Sequence, residues 1–374
     1  MAANSMKGMI LPEVDISKCT SCGLCVKVCP ILNIEGPKDQ FETLSTGIFY
    51  ATDSTLFEAS SSGGAVGAIL QYLFENDKID CAVVTGITGI YAQPRIIRSS
   101  DEISKIQGSK YQPVALNTIL SEIEKGDRFA LVGLPCHIDG LKRLKRYNKQ
   151  LREGLVVTIG IYCTIGRSLF STHVALNHVN DPKGDLYYRY GVYPGNFGLV
   201  ENSNFVHVSS YQEYLGQYDY FFYPRGCHFC DNLYNVHADI SIGDTWGLDC
   251  GKAAIVMART PLGEATVVDA VAMGQLFKIR DASRNENLVT QERSHLYKIS
   301  NYYSRIKTLS LFTDPEFKAL LPVSVNKTHF LTPYLFLYLF TVLFNRRSGY
   351  QIVSNKYFRK ILLKIRNKLL RYAV

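Results

Sequence analysis

The sequence predicts an α/β protein: a short four-cysteine segment at the N-terminus, then an α/β core, then a helical amphipathic tail. Three observations carry this. Cys19, Cys22, Cys25 and Cys29-Pro30 form a compact C-x2-C-x2-C-x3-C-P run. From residue 45 onward, apolar runs of strand length alternate with stretches of helical spacing. The last zone combines an apolar run with a basic, amphipathic pattern.

At 374 residues the chain has room for two or three structural units. Residues 9–37 hold the cysteine run and end in the loop-like Glu35-Gly36-Pro37. Residues 45–180 form the first half of the core. Asp80-Cys-Ala-Val-Val-Thr-Gly-Ile, Arg128-Phe-Ala-Leu-Val-Gly and Leu155-Val-Val-Thr-Ile-Gly-Ile-Tyr read as buried strands there. Gly64 to Glu75, Pro113 to Glu124 and His137 to Tyr147 carry helical spacing between them. Strands alternating with such helices predict βαβ units and a largely parallel sheet. Residues 181–320 form the second half, rich in Tyr, Asn and Gly, with short strands at Asp239–Ile242 and Ala254–Ala258 and a helix near Gly263–Met273.

Residues 321–374 are the tail. The run Phe330 to Phe344 is almost wholly apolar, but it falls short of the about 20 residues a spanning helix needs and contains Pro333. Tyr357 to Tyr372 places Phe358, Ile361, Leu362, Ile365 and Leu369 at helical spacing among Lys and Arg. That pattern suits a helix on an anionic membrane surface, or one packed on the body or on a partner protein. From Phe317 onward there are eleven Lys or Arg and no Asp or Glu, so the net +8 leaves −3 for everything before it. The body therefore lacks the basic stripe of a nucleic-acid binder. No apolar stretch with a cleavage site follows Met1, and ten cysteines without an export signal point to a reducing, cytoplasmic setting in which thiols hold metals.

The N-terminal run has the bacterial ferredoxin spacing for a [4Fe–4S] cluster. Small residues, Ser21 and Gly23, let the loop backbone approach the inorganic sulfides. Zinc ribbons use two separated C-x2-C pairs instead. With no second copy of the run, Cys29 either closes this cluster or reaches thiols elsewhere. A second set is dispersed. Cys136 starts a helix after one strand, Cys163 ends the next, and the carboxyl ends of parallel strands lie along one edge. Cys227-His-Phe-Cys230 would complete four thiolates, as a second [4Fe–4S] site rather than zinc or no metal. Cys81 and Cys250 read as packing residues. Ser60-Ser-Ser-Gly-Gly64 leads into a helix and could cradle a phosphate, or simply cap that helix. Gly108-Ser-Lys-Tyr-Gln-Pro113 is a second polar loop. A Cys136–His137 nucleophile pair is discounted, because neighbours at a helix start point apart.

In order, Ser62-Gly-Gly64, Gly108-Ser-Lys-Tyr111, Val132-Gly-Leu-Pro-Cys136, Gly160-Ile-Tyr-Cys163, and Cys227-x2-Cys230 before Ala238-Asp-Ile-Ser-Ile-Gly-Asp-Thr-Trp246 resemble the family of coenzyme F420 hydrogenase/dehydrogenase beta subunits. The match runs from residue 15 to about 280. The resemblance implies a flavin-binding core with non-covalent FAD, a [4Fe–4S] cluster on the dispersed cysteines, and exchange with a hydride carrier, coenzyme F420 or a similar one. It places Ser62, Gly63, Gly64, Ser109, Lys110 and Tyr111 along the flavin, and Asp239, Gly243 and Asp244 in the loop beside the second cluster. Many relatives carry two ferredoxin motifs and this chain has one; the tail lies outside the match.

The expected function is an iron–sulfur flavoprotein oxidoreductase with a redox partner protein or small hydride carrier. Alternatives are the same scaffold serving bacterial glycan biosynthesis at the membrane with another donor, and a non-enzymatic, metal-stabilised interaction subunit.

Overall fold

The computed structural model describes residues 3–4, 8–177, 179, 181–202, 204–218, 221–319, 321, 332–344 and 347–370. Its centre is an eight-stranded sheet: β1 (Ser45–Ala51), β2 (Cys81–Thr88), β3 (Tyr91–Ile97), β4 (Phe129–Gly133), β5 (Leu155–Ile161), β6 (Ile240–Asp244), β7 (Ala254–Ala258) and β8 (Leu276–Asp281), in the order β8-β1-β7-β6-β5-β4-β2-β3. Strands from both sides of residue 180 share it. The sheet is mixed rather than largely parallel. β2, β4, β5 and β6 run parallel in the middle. Hairpin and crossover partners join antiparallel at both sides.

Side-chain alternation explains why the middle strands read as continuous apolar runs. Ala82 and Val84 of β2, with Ala130 and Val132 of β4, face a core built with the helices Ala65–Glu75 and Pro261–Ala272. Their neighbours Cys81, Val83, Phe129 and Leu131 face Leu116, Ile138 and Leu141 on the other side. A sheet buried on both faces has no polar alternation. The expected helix at Pro113–Glu124 is instead a run of 3-10 turns, Leu116–Glu122, whose Leu116 and Leu120 still pack on the sheet. The other expected strands and helices form within a few residues of their predicted ends.

A separate antiparallel sheet, Asn204–Ser210, Asn196–Glu201 and Asp185–Tyr190, carries a Tyr- and Phe-rich core. The tail helices Thr332–Phe344 and Lys356–Leu370 close on it, through Phe344, Leu362 and Leu363. Pro333 does not interrupt the first of these, because it falls in the opening turn, where a helix needs no N–H from it. The predicted segments' ends at 330–331 and 371–372 lie outside the described residues. Among the described residues, no helix is long and apolar enough to cross a membrane.

Candidate redox site

Parallel pairing of β4, β5 and β6 brings their carboxyl ends to one edge. Cys136 opens the helix Pro135–Leu144 directly after β4, and Cys163 lies two residues beyond β5. The chain returns to this edge through the turn Arg225–Phe229, which carries Cys227 and leads into Cys230. Asn235 fixes the return: its amide donates to the carbonyls of Gly133 (3.0 Å) and Ile161 (3.3 Å), the last residues of β4 and β5. Gly160 makes room for it, since a Cβ there would lie 2.4 Å from Asn235 Cγ. The Cys163 N–H donates to Leu233 O at 3.0 Å.

The four dispersed thiols sense one another. Cys136 presents an exposed edge, yet protein packed around the rest of its side chain, then Cys163, Cys227 and Cys230, push its pKa well up. Burial first, then Cys163, pushes Cys227 to about 12. Lys298 opposes these shifts; its buried ammonium donates to Cys230 Sγ at 3.2 Å. His228, between the paired cysteines, is tied to Tyr297 (2.7 Å) and Thr341 (3.0 Å), and burial pushes its pKa down to about 3. His137 turns away from Cys136: its ring meets Leu134 N–H and Val114 O. Cys81 is buried in the sheet, as expected.

The N-terminal run lies on its own surface loop. Cys19, Cys22 and Cys25 are exposed and Cys29 is half-buried. Ser21 and Gly23 both take left-handed backbone (φ 53° and 69°), which curls the loop between the cysteines. The segment abuts the dispersed set. Ile31 packs on the position of Gly226, next to Cys227, and Asn33 O accepts from Arg143 at 2.9 Å. Among the described residues, no three His, Cys, Asp or Glu side chains converge closely enough for one metal ion. A cuboidal cluster holds its four thiolates farther apart than the single ion of a zinc site does.

Beside the cysteine edge, the two polar loops meet. Ser62 Oγ donates to Asp244 Oδ1 at the end of β6, and Ser109 N–H donates to Ser61 Oγ at 2.8 Å. Gly64, at φ +78°, opens the helix Ala65–Glu75 with no side-chain cap, leaving its first-turn N–H groups to another acceptor. Gly63 is also required by packing, since a Cβ would lie 2.8 Å from Ala253 Cα. Tyr111 stacks on Tyr211 and shares a 2.9 Å hydrogen bond with it. Gly243 packs against the Tyr162 ring, immediately before Cys163, on the sheet face opposite to Asp244.

One expected site residue lies elsewhere, and a second is tied back to its own loop. The Asp239 carboxylate accepts from Thr158 (2.6 and 2.9 Å) and Thr260 (2.9 Å), at the opposite end of β6 from Asp244. Lys110 folds back to the carbonyls of Ile106 and Gln107, and burial pushes its pKa down to about 7. Sequence reasoning missed Arg189. Its buried guanidinium pairs with Asp244 Oδ1 (2.8 Å), donates to Ser61 O (2.9 Å), and lies over Tyr193, Tyr211 and Trp246. An isolated arginine in a Tyr-rich strand gives no local signal; only the fold brings it to the loop.

A four-cysteine loop of 4Fe-4S type, packed at the carboxyl edge of an α/β sheet beside four further cysteines, marks an iron–sulfur electron-transfer oxidoreductase. Residues 49–121 and 126–283 match the N-terminal and C-terminal models of the coenzyme F420 hydrogenase/dehydrogenase beta subunit, and residues 12–35 match a 4Fe-4S binding domain. The chain belongs to that family of beta subunits. It is 28% identical to a subunit of the F(420)H(2) dehydrogenase of Methanosarcina mazei over 66% of this chain and 68% of that protein. It is 24% identical to a coenzyme F420-dependent sulfite reductase of Methanocaldococcus jannaschii, over 75% of this chain but 47% of that protein. A chain of the F420-reducing [NiFe] hydrogenase complex from Methanosarcina barkeri shares the fold, with a TM-score of 0.59 at 19% identity, covering 74% of this chain and 96% of that one.

Proposed function

We propose that the chain passes electrons between coenzyme F420, or a similar hydride carrier, and two [4Fe–4S] clusters through a bound FAD. The observation that carries this is the Ser62–Asp244–Arg189 contact. It joins the Ser-Gly-Gly loop and the end of β6, with the Ser109–Tyr111 loop tied on through Ser61, into one cluster beside aromatic rings at the sheet edge that carries the cysteines. Ligands of open α/β sheets bind at such carboxyl edges.

Cys19, Cys22, Cys25 and Cys29 would hold one cluster, and Cys136, Cys163, Cys227 and Cys230 the second. Two buried cations, Lys298 and Arg305, suit the anionic charge of four thiolates there. Ser62, Gly63 and Gly64 would receive a pyrophosphate at the uncapped helix start. Tyr111, Tyr211 and Trp246 form a stacked aromatic series that would flank the flavin ring, with Ser109 tying its loop to Ser61. Asp244 would hold the Ser-Gly-Gly loop in place through Ser62, and Gly243 admits the Tyr162 ring on the other face of the same strand end. A flavin bound there supplies the exchange between hydride pairs and single electrons. The residues themselves would orient the ring and offer backbone N–H donors to its phosphates. Ile31 and Gly226 bring the two cysteine sets side by side, so a redox partner protein would meet the exposed N-terminal loop. Protein purified anaerobically should be brown, release flavin on denaturation and bleach on addition of reduced F420. Colourless protein with stoichiometric zinc contradicts this reading. Flavin and iron without bleaching would leave the scaffold and remove F420.

The tail supports a second proposal, a peripheral membrane role. The helix Lys356–Leu370 packs inward through Leu362 and Leu363, leaving Tyr357, Phe358, Ile361 and Ile365 exposed among lysines. An outward apolar stripe flanked by Lys and Arg suits the cytoplasmic face of an anionic bilayer. Sedimentation with phosphatidylglycerol vesicles, but not phosphatidylcholine vesicles, tests it.

A further inference from the structure

We infer that Lys298 is a positioning and charge-compensating residue of the dispersed four-cysteine site, bridging Cys230 to the carbonyls of Cys163 and Asn232. The inference rests on the proposal that these cysteines hold a cluster. Lys298 lies on a π-helical turn, Leu296–Ser300, beyond residue 283 where the family match ends. Such turns are rare and recur at functional sites.

The geometry is a closed cage. Lys298 Nζ donates to Cys163 O at 2.6 Å, to Asn232 O at 2.9 Å and to Cys230 Sγ at 3.2 Å, and the residue is 1% exposed. Lysine's three donors match these three acceptors. The contacts tie the end of β5 to the Cys227–Cys230 turn, so one side chain fixes two of the four thiols relative to each other. Arg305, 0% exposed, adds a second cation: its guanidinium donates to His228 O (2.8 Å) and Cys230 O (2.9 Å), and its buried Nη1 has no partner among the described residues. Among the described residues, no carboxylate forms an ion pair with either cation. Buried charges need a counter-charge close by. The Asp231 carboxylate senses the Lys298 charge without pairing with it, and the anionic atom that Lys298 touches is the Cys230 sulfur.

A fixed cation beside a redox group favours the more negative, reduced form. Lys298→Met keeps the side chain's length and removes the charge. In an EPR-monitored redox titration of the full chain, its dispersed-site midpoint should fall by about 59 mV or more, a tenfold change for one electron. The N-terminal site's midpoint should stay, as an internal reference, and Lys298→Arg should restore the wild-type value. Two unmoved midpoints at wild-type iron content overturn the assignment. If Lys298→Met empties the dispersed site, Lys298→Arg decides: retained iron at a near wild-type midpoint supports it, and iron loss in both variants overturns it in favour of packing. Wild-type protein with iron at the N-terminal site alone removes the second-cluster reading, and this inference with it.

Discussion

Arg189 and Asp244 form a 2.8 Å ion pair in which the guanidinium is almost wholly buried while the carboxylate keeps a solvent-facing edge. Burial alone would lower the Arg189 pKa; Asp244, then Tyr111 and Tyr211, outweigh it and hold it above the ordinary arginine value. The pair therefore works as a clamp on the Ser-Gly-Gly loop, through Ser61 and Ser62.

Asp244→Asn should leave Arg189 buried without its charge partner. Breaking a fully buried pair costs about 3–5 kcal/mol, and the exposed edge of Asp244 reduces this to about 2–3 kcal/mol. Urea unfolding measures the loss, and flavin retained after gel filtration should fall in parallel.

Gly63→Ala and Gly108→Ala separate packing from backbone strain. Both positions have left-handed backbone, at φ +74° and +81°. At Gly108 the nearest atom to a Cβ is 3.9 Å away, so the cost is the conformational one, about 1 kcal/mol. At Gly63 the Cβ would also meet Ala253 Cα and Lys252 O at 2.8 and 2.9 Å, so about 2–3 kcal/mol is expected in the same urea measurement.

His228 should make the protein acid-labile. Its folded pKa near 3, caused by burial and then Arg305 and Arg225, lies below the ordinary 6.5. The unfolded chain therefore binds more protons between these values. The stabilisation is full above about pH 6.5 and is lost as pH falls toward 3, amounting to about 2 kcal/mol by pH 5. His228→Gln should flatten that slope in denaturant titrations at pH 5 and 7, at the expense of some stability at pH 7.

The tail helix offers a matched pair. Leu362 packs against the Phe-rich cluster, whereas Ile365 is 46% exposed. Leu362→Glu should destabilise by about 2–3 kcal/mol, and Ile365→Glu by no more than about 0.5 kcal/mol. Only Ile361→Glu/Ile365→Glu should weaken vesicle sedimentation without lowering Tm; equal effects on both readouts contradict a free outer face.

Much of this was legible in the sequence where burial is two-sided. β2, β4 and β5 announce themselves because both faces are apolar, and Cys136 and Cys163 follow from the strand ends. β8, Leu-Phe-Lys-Ile-Arg-Asp, did not: five of its six residues are exposed on the sheet edge. The antiparallel partners β1, β3 and β7 turned an expected parallel sheet into a mixed one, since strand direction is not written in apolar spacing. Asp239 fell in a motif shared with Asp244, yet strand β6 separates their carboxylates by its length. The tail's apolar residues read as one stripe, but the helix divides them between the body and solvent. Arg189 and Lys298 acquire their roles only from distant partners, Asp244 and Cys230.

Two iron–sulfur sites and a flavin held by one chain are tested most directly by anaerobic quantification of iron, sulfide and flavin on the full-length protein. Two clusters require about eight iron and about eight sulfide per chain, falling to about four of each in Cys163→Ala, with about one FAD in both. Iron unchanged in Cys163→Ala, or wild-type protein without flavin, contradicts it.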